Sequence, residues 1–298
     1  MTISRAERRI RSGLPIIRFF QRAIPLPAAN WLNRQGCAFV KLDPDVSLET
    51  VNADGVGCKW IAPQNLLSDQ VLLYLHGGGF VFGQTPLHLK MGAYLAKKMN
   101  FRVLMVDYRT APKNPYPSAL DDCITAYLWL IKQGVSPQNI VIAGDSAGGN
   151  LTITMLMKLR DEGYLLPAAA ACLSPVTDLT SKDGLRPDFK DPLLPPKALN
   201  FYRLSYTGKS NPTDPLISPV FGTLDNLPPL LVHVGEDEIL LDDAIRITEL
   251  AKSAGVDARL EIYPRMWHVW QINLALPQAI RSLDDISNFF KAHLASHP

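Results

Sequence analysis

Residues 143–150 read AGDSAGGN and follow directly on the apolar run NIVI. The serine there lies between glycines, at a bend with almost no side-chain bulk around it. A tight strand-to-helix turn would account for the small residues, and so would a nucleophile raised on a strained corner. The pattern Gly144-Asp145-Ser146-Ala147-Gly148 favours the nucleophile, because a strand-like run precedes it and a helix-like run, NLTITMLMKLRDEG, follows. Glycine relieves the crowding that such a corner creates. The five-residue pattern is weak alone, so its weight depends on what the rest of the chain supplies.

Around this stretch the chain alternates regularly. QVLLYLH, FRVLMVDY, NIVIAG, AAACLS, PLLVHV and ARLEIY read as strands, several of them continuous apolar runs of the kind covered on both faces. LKMGAYLAKKM, SALDDCITAYLWLIKQG, NLTITMLMKLRDEG, DDAIRITELAKSAG and LPQAIRSLDDISNFFKAHL read as helices between and after them. Ser118 and Asp121 have capping-box spacing at the start of one helix, and Gly134 ends it. The alternation predicts an α/β fold, a mostly parallel sheet with helices on both faces. Two segments break it. Residues 1–45 precede the core, and residues 181–222 form a proline-rich insertion with one helix expected from Pro196 to Tyr206. The expected division is a cap built from 1–45 and 181–222, and a catalytic core from 46–180 and 223–298.

The 298 residues are 47% hydrophobic and 19% charged, with a formal net charge of +2. That describes an ordinary globular chain and gives no reason to expect a nucleic-acid partner. Arg5, Arg8, Arg9, Arg11, Arg18 and Arg22 crowd the N-terminus against Glu7 alone. Ile10, Leu14, Ile17 and Ile24 fall near helical spacing, so an amphipathic helix broken near Pro15 is expected, packed against its own protein in preference to lying on a membrane surface. The apolar stretch behind the arginines is too short for a secretory signal, and no stable membrane anchor is expected. Cys37, Cys58, Cys123 and Cys172 lie far apart without a C-x-x-C pair, which points to reduced thiols, a cytoplasmic chain and no metal site.

A serine nucleophile needs partners. LHGGGFVFG, residues 75–83, follows a strand and presents three consecutive glycines. Acyl transfer builds negative charge on a carbonyl oxygen, and backbone N–H groups aimed at it stabilise that charge. Gly78, Gly79 and Ala147 are the expected donors, with Gly77 and His76 shaping the loop. Phosphate binding is disfavoured: the spacing is not G-x-G-x-x-G, and Asn150 stands where a P-loop needs lysine. Of six histidines, His76 belongs to the glycine loop, His88 fronts a helix, His233 sits mid-strand, and His293 and His297 end the chain. His268, in YPRMWHVW, follows a strand at the sheet edge where Ser146 is also expected, so it is the candidate base. The carboxylate that orients it should come from GEDEILLDD, where Glu236, Asp237, Glu238, Asp242 and Asp243 compete. Asp237, central in the loop, is preferred. Asp145 is expected to anchor the turn, and Asp178 is a distant alternative.

HGGG ahead of GDSAGG, with an acidic loop and a late histidine, resembles the bacterial hormone-sensitive-lipase-like branch of the α/β-hydrolases, over roughly residues 70–295. VDYRTAPKNPYPSALDD and LSPVTDLT also fall where that group has similar segments. The resemblance implies a carboxylesterase with a serine acyl-enzyme, no cofactor, short-to-medium acyl esters as small-molecule substrates, and a cap shaping the acyl pocket. It also suggests a homodimer through an edge strand such as ARLEIY. GEDE departs from the D-P-L of many relatives, which bears on Asp237. Phe80, Phe82, Trp267 and Trp270 are candidate pocket walls. Deacylation of amides or lactones would use the same residues. A non-catalytic receptor on this scaffold would lack the base that His268 supplies. A long-chain lipase is not expected, because no large apolar docking face is visible in the sequence.

Overall fold

The computed structural model describes residues 4–181, 189 and 191–295, without the side chains of 20–22 and 295. Most of the first ten residues of the 181–222 insertion, the Arg22 side chain and His297 therefore lie outside the described residues. Among the described residues eight strands form one sheet in the order β1-β2-β4-β3-β5-β6-β7-β8. They are β1 (Val46–Ala53), β2 (Val56–Pro63), β3 (Val71–Leu75), β4 (Arg102–Val106), β5 (Ile140–Asp145), β6 (Ala169–Leu173), β7 (Leu230–Gly235) and β8 (Ala258–Tyr263). From β4 to β8 every pairing is parallel, and β1 and β2 add an antiparallel hairpin. That hairpin, which the apolar pattern does not announce, turns on Asp54-Gly55, both at positive φ (51° and 100°).

Alternate residues of the strands enter two cores. Leu73, Leu75, Ile140, Ile142, Val232 and Val234 pack with α4 (Ser118–Lys132), α5 (Ala147–Asp161) and α7 (Leu241–Ser253). Leu72, Tyr74, Val141, Ala143 and Leu231 pack with α3 (Pro86–Met99) and α8 (Pro277–Ala295) on the other face. Each fully buried leucine or valine contributes about 1.5–3 kcal/mol, and the central strands, apolar on both faces, need both helical layers. Because β3, β5, β7 and β8 run parallel, their carboxyl ends open onto one edge, where 76–80, 146, 236–238 and 264–268 follow.

Three described helices stand outside the alternation: α1 (Arg5–Ala23), α2 (Leu26–Ala38) and α6 (Pro196–Thr207). Two local expectations change. α1 continues through Pro15, and the break falls at Pro25, which caps α2. Packing of Ile10 and Leu14 against the body of the protein carries the helix past the lost hydrogen bond. In α4 the N-cap is Pro117 rather than Ser118, with no side-chain cap, and Asp121 pairs instead with Lys158.

Candidate active site

β5 delivers Ser146 in a conformation (φ 53°, ψ −113°) that a side chain with a Cβ rarely adopts. Such strain, of order 1–3 kcal/mol, persists only where neighbours enforce it. Here the Ser146 N–H donates to the Leu173 carbonyl (2.8 Å), and the Asn150 N–H donates to the Ser146 carbonyl (3.1 Å). A methyl on Gly148 would strike the Leu75 carbonyl, and one on Gly144 would strike Gly148 itself. The glycines thus allow α5 to press onto the sheet and leave Ser146 at the corner.

His268 arrives on the loop after β8, followed by Val269 in the left-handed region (φ 49°, ψ 46°). Its Nε2 lies 2.9 Å from Ser146 Oγ. Its Nδ1 faces Glu238 Oε1 at 3.4 Å. Glu238 is fully buried, and its Oε2 accepts hydrogen bonds from Ser174 Oγ (2.7 Å) and the Gly235 N–H (2.8 Å). Burial opposes a charge on His268, but the hydrogen bond and charge of Glu238, aided by Asp191 and Asp145, outweigh it and raise the imidazole pKa above 6.5. Ser174 also accepts from the Val269 N–H (3.3 Å), so one hydroxyl ties the acidic loop to the histidine loop.

The preferred Asp237 does not face the imidazole in this geometry. Its N–H donates to the Met266 carbonyl (2.9 Å), and its carboxylate turns outward to pair with Arg11. The next residue in the turn points inward, and the longer glutamate side chain spans the gap to the imidazole. Among the other carboxylates, Glu236 accepts from the Arg265 N–H (3.0 Å) and Asp178 pairs with Arg246 (2.8 Å). Asp243, in the first turn of α7, accepts from the Thr177 and Asp178 N–H groups. Ser174 lies in the LSPVTDLT segment without being singled out there, and no motif marks the buried Asp191.

The glycine loop is held from below. Asp145 accepts from the Gly77 N–H (2.9 Å) and Tyr74 Oη (2.8 Å), and lies 3.4 Å from His88 Nε2. His76 stacks on Tyr108 (centroids 4.2 Å apart), and its Nδ1 lies 2.7 Å from the Gly77 carbonyl. Gly78 (φ 121°) turns its carbonyl to the N–H groups of Val81 and Phe82, and Gly79 (φ 59°) lies directly beneath the ring of Tyr202. The N–H groups of Gly78, Gly79 and Ala147 are paired with no acceptor among the described residues. Ala147 is the first residue of α5, where the helix dipole favours negative charge.

Above these groups lies a cavity of about 670 Å³. Phe80, Phe82, Trp267 and Trp270 all reach it, Phe80 stacked on Tyr206. Ile10, Leu14, Ile17 and Ile24 of the N-terminal segment, with Leu199 and Tyr202 of α6, complete its apolar wall. Among the described residues no cluster of three or more His, Cys, Asp or Glu side chains is arranged to hold a metal ion.

Residues 72–272 match a family described by its alpha/beta hydrolase fold. An esterase of Acinetobacter venetianus is 37% identical over 86% of this chain and 85% of its own. An acetyl-hydrolase of Streptomyces hygroscopicus is 36% identical over 78% and 79%. The crystal structure of an esterase from the bacterial hormone-sensitive lipase family superposes with a TM-score of 0.89 at 37% identity, covering 99% of this chain and all of the other. With these likenesses across almost its whole length, the chain belongs to the alpha/beta hydrolase family, among the carboxylic ester hydrolases of the bacterial hormone-sensitive-lipase branch.

Proposed function

We propose that Ser146, His268 and Glu238 form the catalytic triad, with Gly78, Gly79 and Ala147 as oxyanion donors, acting on short-to-medium acyl esters. The carrying observation is the 2.9 Å contact between His268 Nε2 and Ser146 Oγ beneath an apolar cavity. His268 Nε2 takes the serine proton as Oγ bonds to the ester carbonyl carbon, and the three N–H groups receive the charge that develops on oxygen. The imidazolium, stabilised by Glu238, then protonates the departing alkoxide as the ester C–O bond breaks. Water, deprotonated by the same nitrogen, attacks the acyl-serine, and the proton returns to Oγ as the acid leaves. The cavity volume falls within the range of small-molecule sites, and its apolar walls suit an acyl chain.

In this reading α1, α2 and α6 are the cap, drawn from residues 1–45 and 181–222, over the core. The chain works in the cytoplasm, a reducing compartment, which suits Cys37, Cys58, Cys123 and Cys172 as buried free thiols. β8 lies at one end of the described sheet, and two copies joined along it form a homodimer. Turnover of short-acyl nitrophenyl esters, with acetyl amides and lactones in the same panel, tests the activity. Ser146→Ala lowers kcat roughly a millionfold, and an organophosphonate labels Ser146 in the unaltered protein. A serine variant that keeps most of its turnover refutes the assignment.

A further inference from the structure

We propose that the outer face of α1 and α2 docks on an anionic lipid surface, with the cavity mouth turned toward it. At helical spacing α1 exposes Arg5, Arg8, Arg9, Ser12, Pro15, Ile16 and Phe19, so this face passes from cationic to apolar along the helix. Ile16 is 61% exposed. On α2, Trp31 (60%), Leu32 (50%) and Arg34 face solvent. Neither helix exposes an acidic side chain: Glu7, the one carboxylate on them, is turned inward and held by Arg265. Ile17, Leu32 and Leu87 are both exposed and part of the cavity lining, so the apolar rim continues into the cavity.

Large apolar side chains grouped on a surface mark an interaction site, and their mixture with arginines suits the headgroup boundary of a bilayer. Charge selects the occupant. A second copy docked on the same face would set Arg5, Arg8, Arg9 and Arg34 against the same four cations. Acidic headgroups instead supply the missing countercharge, each basic residue strengthening adsorption about fivefold. A bilayer also offers a flat apolar layer at the cavity mouth, so that an ester dissolved there enters without crossing water. No described helix is long and apolar enough to cross a membrane, so the contact is peripheral. The docking stands independently of the triad assignment.

The test mixes the full chain with vesicles of phosphatidylcholine, alone or with an equal share of phosphatidylglycerol. The protein is expected to sediment with the anionic vesicles at low ionic strength and to be released by salt. Among the five tryptophans Trp60 and Trp129 are half-buried, Trp267 and Trp270 are buried and Trp31 alone is exposed, so its emission shifts to the blue on binding and Trp31→Phe removes that shift. Arg8→Gln with Arg9→Gln lowers partitioning about thirtyfold, and Ile16→Ser removes the Trp31 shift. None of these side chains lines the cavity, so turnover of a water-dissolved nitrophenyl ester stays unchanged. Failure to bind anionic vesicles, or binding indifferent to these substitutions, overturns the proposal. So does a dimer that Ile16→Ser separates, because the face is then covered by a second copy.

Discussion

Replacing Glu238 by glutamine isolates the smallest change that separates the inward carboxylate from its neighbour. Oε2 of Glu238 accepts two hydrogen bonds, from Ser174 Oγ and the Gly235 N–H. In Glu238→Gln only the amide oxygen can fill that place, so the NH2 takes the position of Oε1 and points at His268 Nδ1. Nδ1 must then accept, and the single proton of the neutral imidazole moves to Nε2, the atom that has to take the proton of Ser146. On the proposed triad, a neutral amide in place of the carboxylate lowers kcat about ten-thousandfold, or about 5 kcal/mol of transition-state stabilisation. The same substitution removes the charge that raises the His268 pKa, so the acid limb of kcat/KM moves to lower pH. Asp237→Asn is the comparison. Its partner Arg11 and its own carboxylate are 38% and 29% exposed, so the pair contributes at most about 1 kcal/mol to stability, and turnover stays within a few-fold of the unaltered protein. Steady-state kinetics on a nitrophenyl ester between pH 5 and 9 reads both variants. Near-normal turnover in Glu238→Gln, with collapse in Asp237→Asn, refutes the reasoning.

A methyl at Gly79 would stand 2.5 Å from Cγ of Tyr202, at a φ of +59° that alanine resists. Gly79→Ala is therefore expected to move the oxyanion loop and lower kcat roughly 100- to 1,000-fold, and unchanged turnover would show that the Gly79 N–H is not used. Burial lowers the pKa of His76 to about 4 and of His233 to about 3, from 6.5 in an unfolded chain. The unfolded chain therefore takes protons first, and stability present above pH 6.5 drains away as pH falls toward those values, by several kcal/mol in all. His268 acts with the opposite sign, its contribution present below pH 6.5 and lost as pH rises through its raised value. Asp243, buried and raised to about 7, also gains on acidification, so the check is a comparison: urea unfolding at pH 7 and pH 4.5 is expected to show His233→Asn losing less stability on acidification than the unaltered chain, and an equal loss contradicts the reasoning.

The six parallel-region strands are legible in the sequence because burial on both faces leaves unbroken apolar runs, and each lies within one or two residues of its expected place. β1 and β2 are not, because a strand such as β1, exposed at Ser47, Leu48, Glu49 and Thr50, carries no such run. Asp54-Gly55 between alternating residues is the signal that marks the hairpin. Ser146 and His268 are legible because strand, loop and edge position all follow from the alternation. The carboxylate that faces the imidazole is not, since adjacent residues of one turn point to opposite sides, and only the turn's path decides which looks at His268. The exposed face of α1 is equally hidden: helical spacing marks Ile10, Leu14 and Ile17, but which face of the helix the core covers depends on residues hundreds of positions away.

That placement of Asp237 has a consequence for the cap. Arg11 donates to Asp237 and to the Arg265 carbonyl (2.7 Å), and Arg265 in turn donates to Glu7 (3.0 Å). One helix is thereby joined to the loop before Glu238 and to the loop before His268, through Asp237, next to Glu238, and Arg265, three residues before His268. The two joints differ in strength. Glu7 is 1% exposed and also accepts from Gln278 (2.9 Å), and a buried carboxylate deprived of its cation is costly. The Arg11 pair is partly solvated and worth little. The first two turns of α1 are thus tied to the loops that carry Glu238 and His268, while beyond Pro15 Ile17 reaches the cavity wall and Arg18 donates to the Asp191 carbonyl (3.2 Å). The helix is thus anchored in its first turns, beside the loops that carry Glu238 and His268, and exposes Ile16 and Phe19 further along.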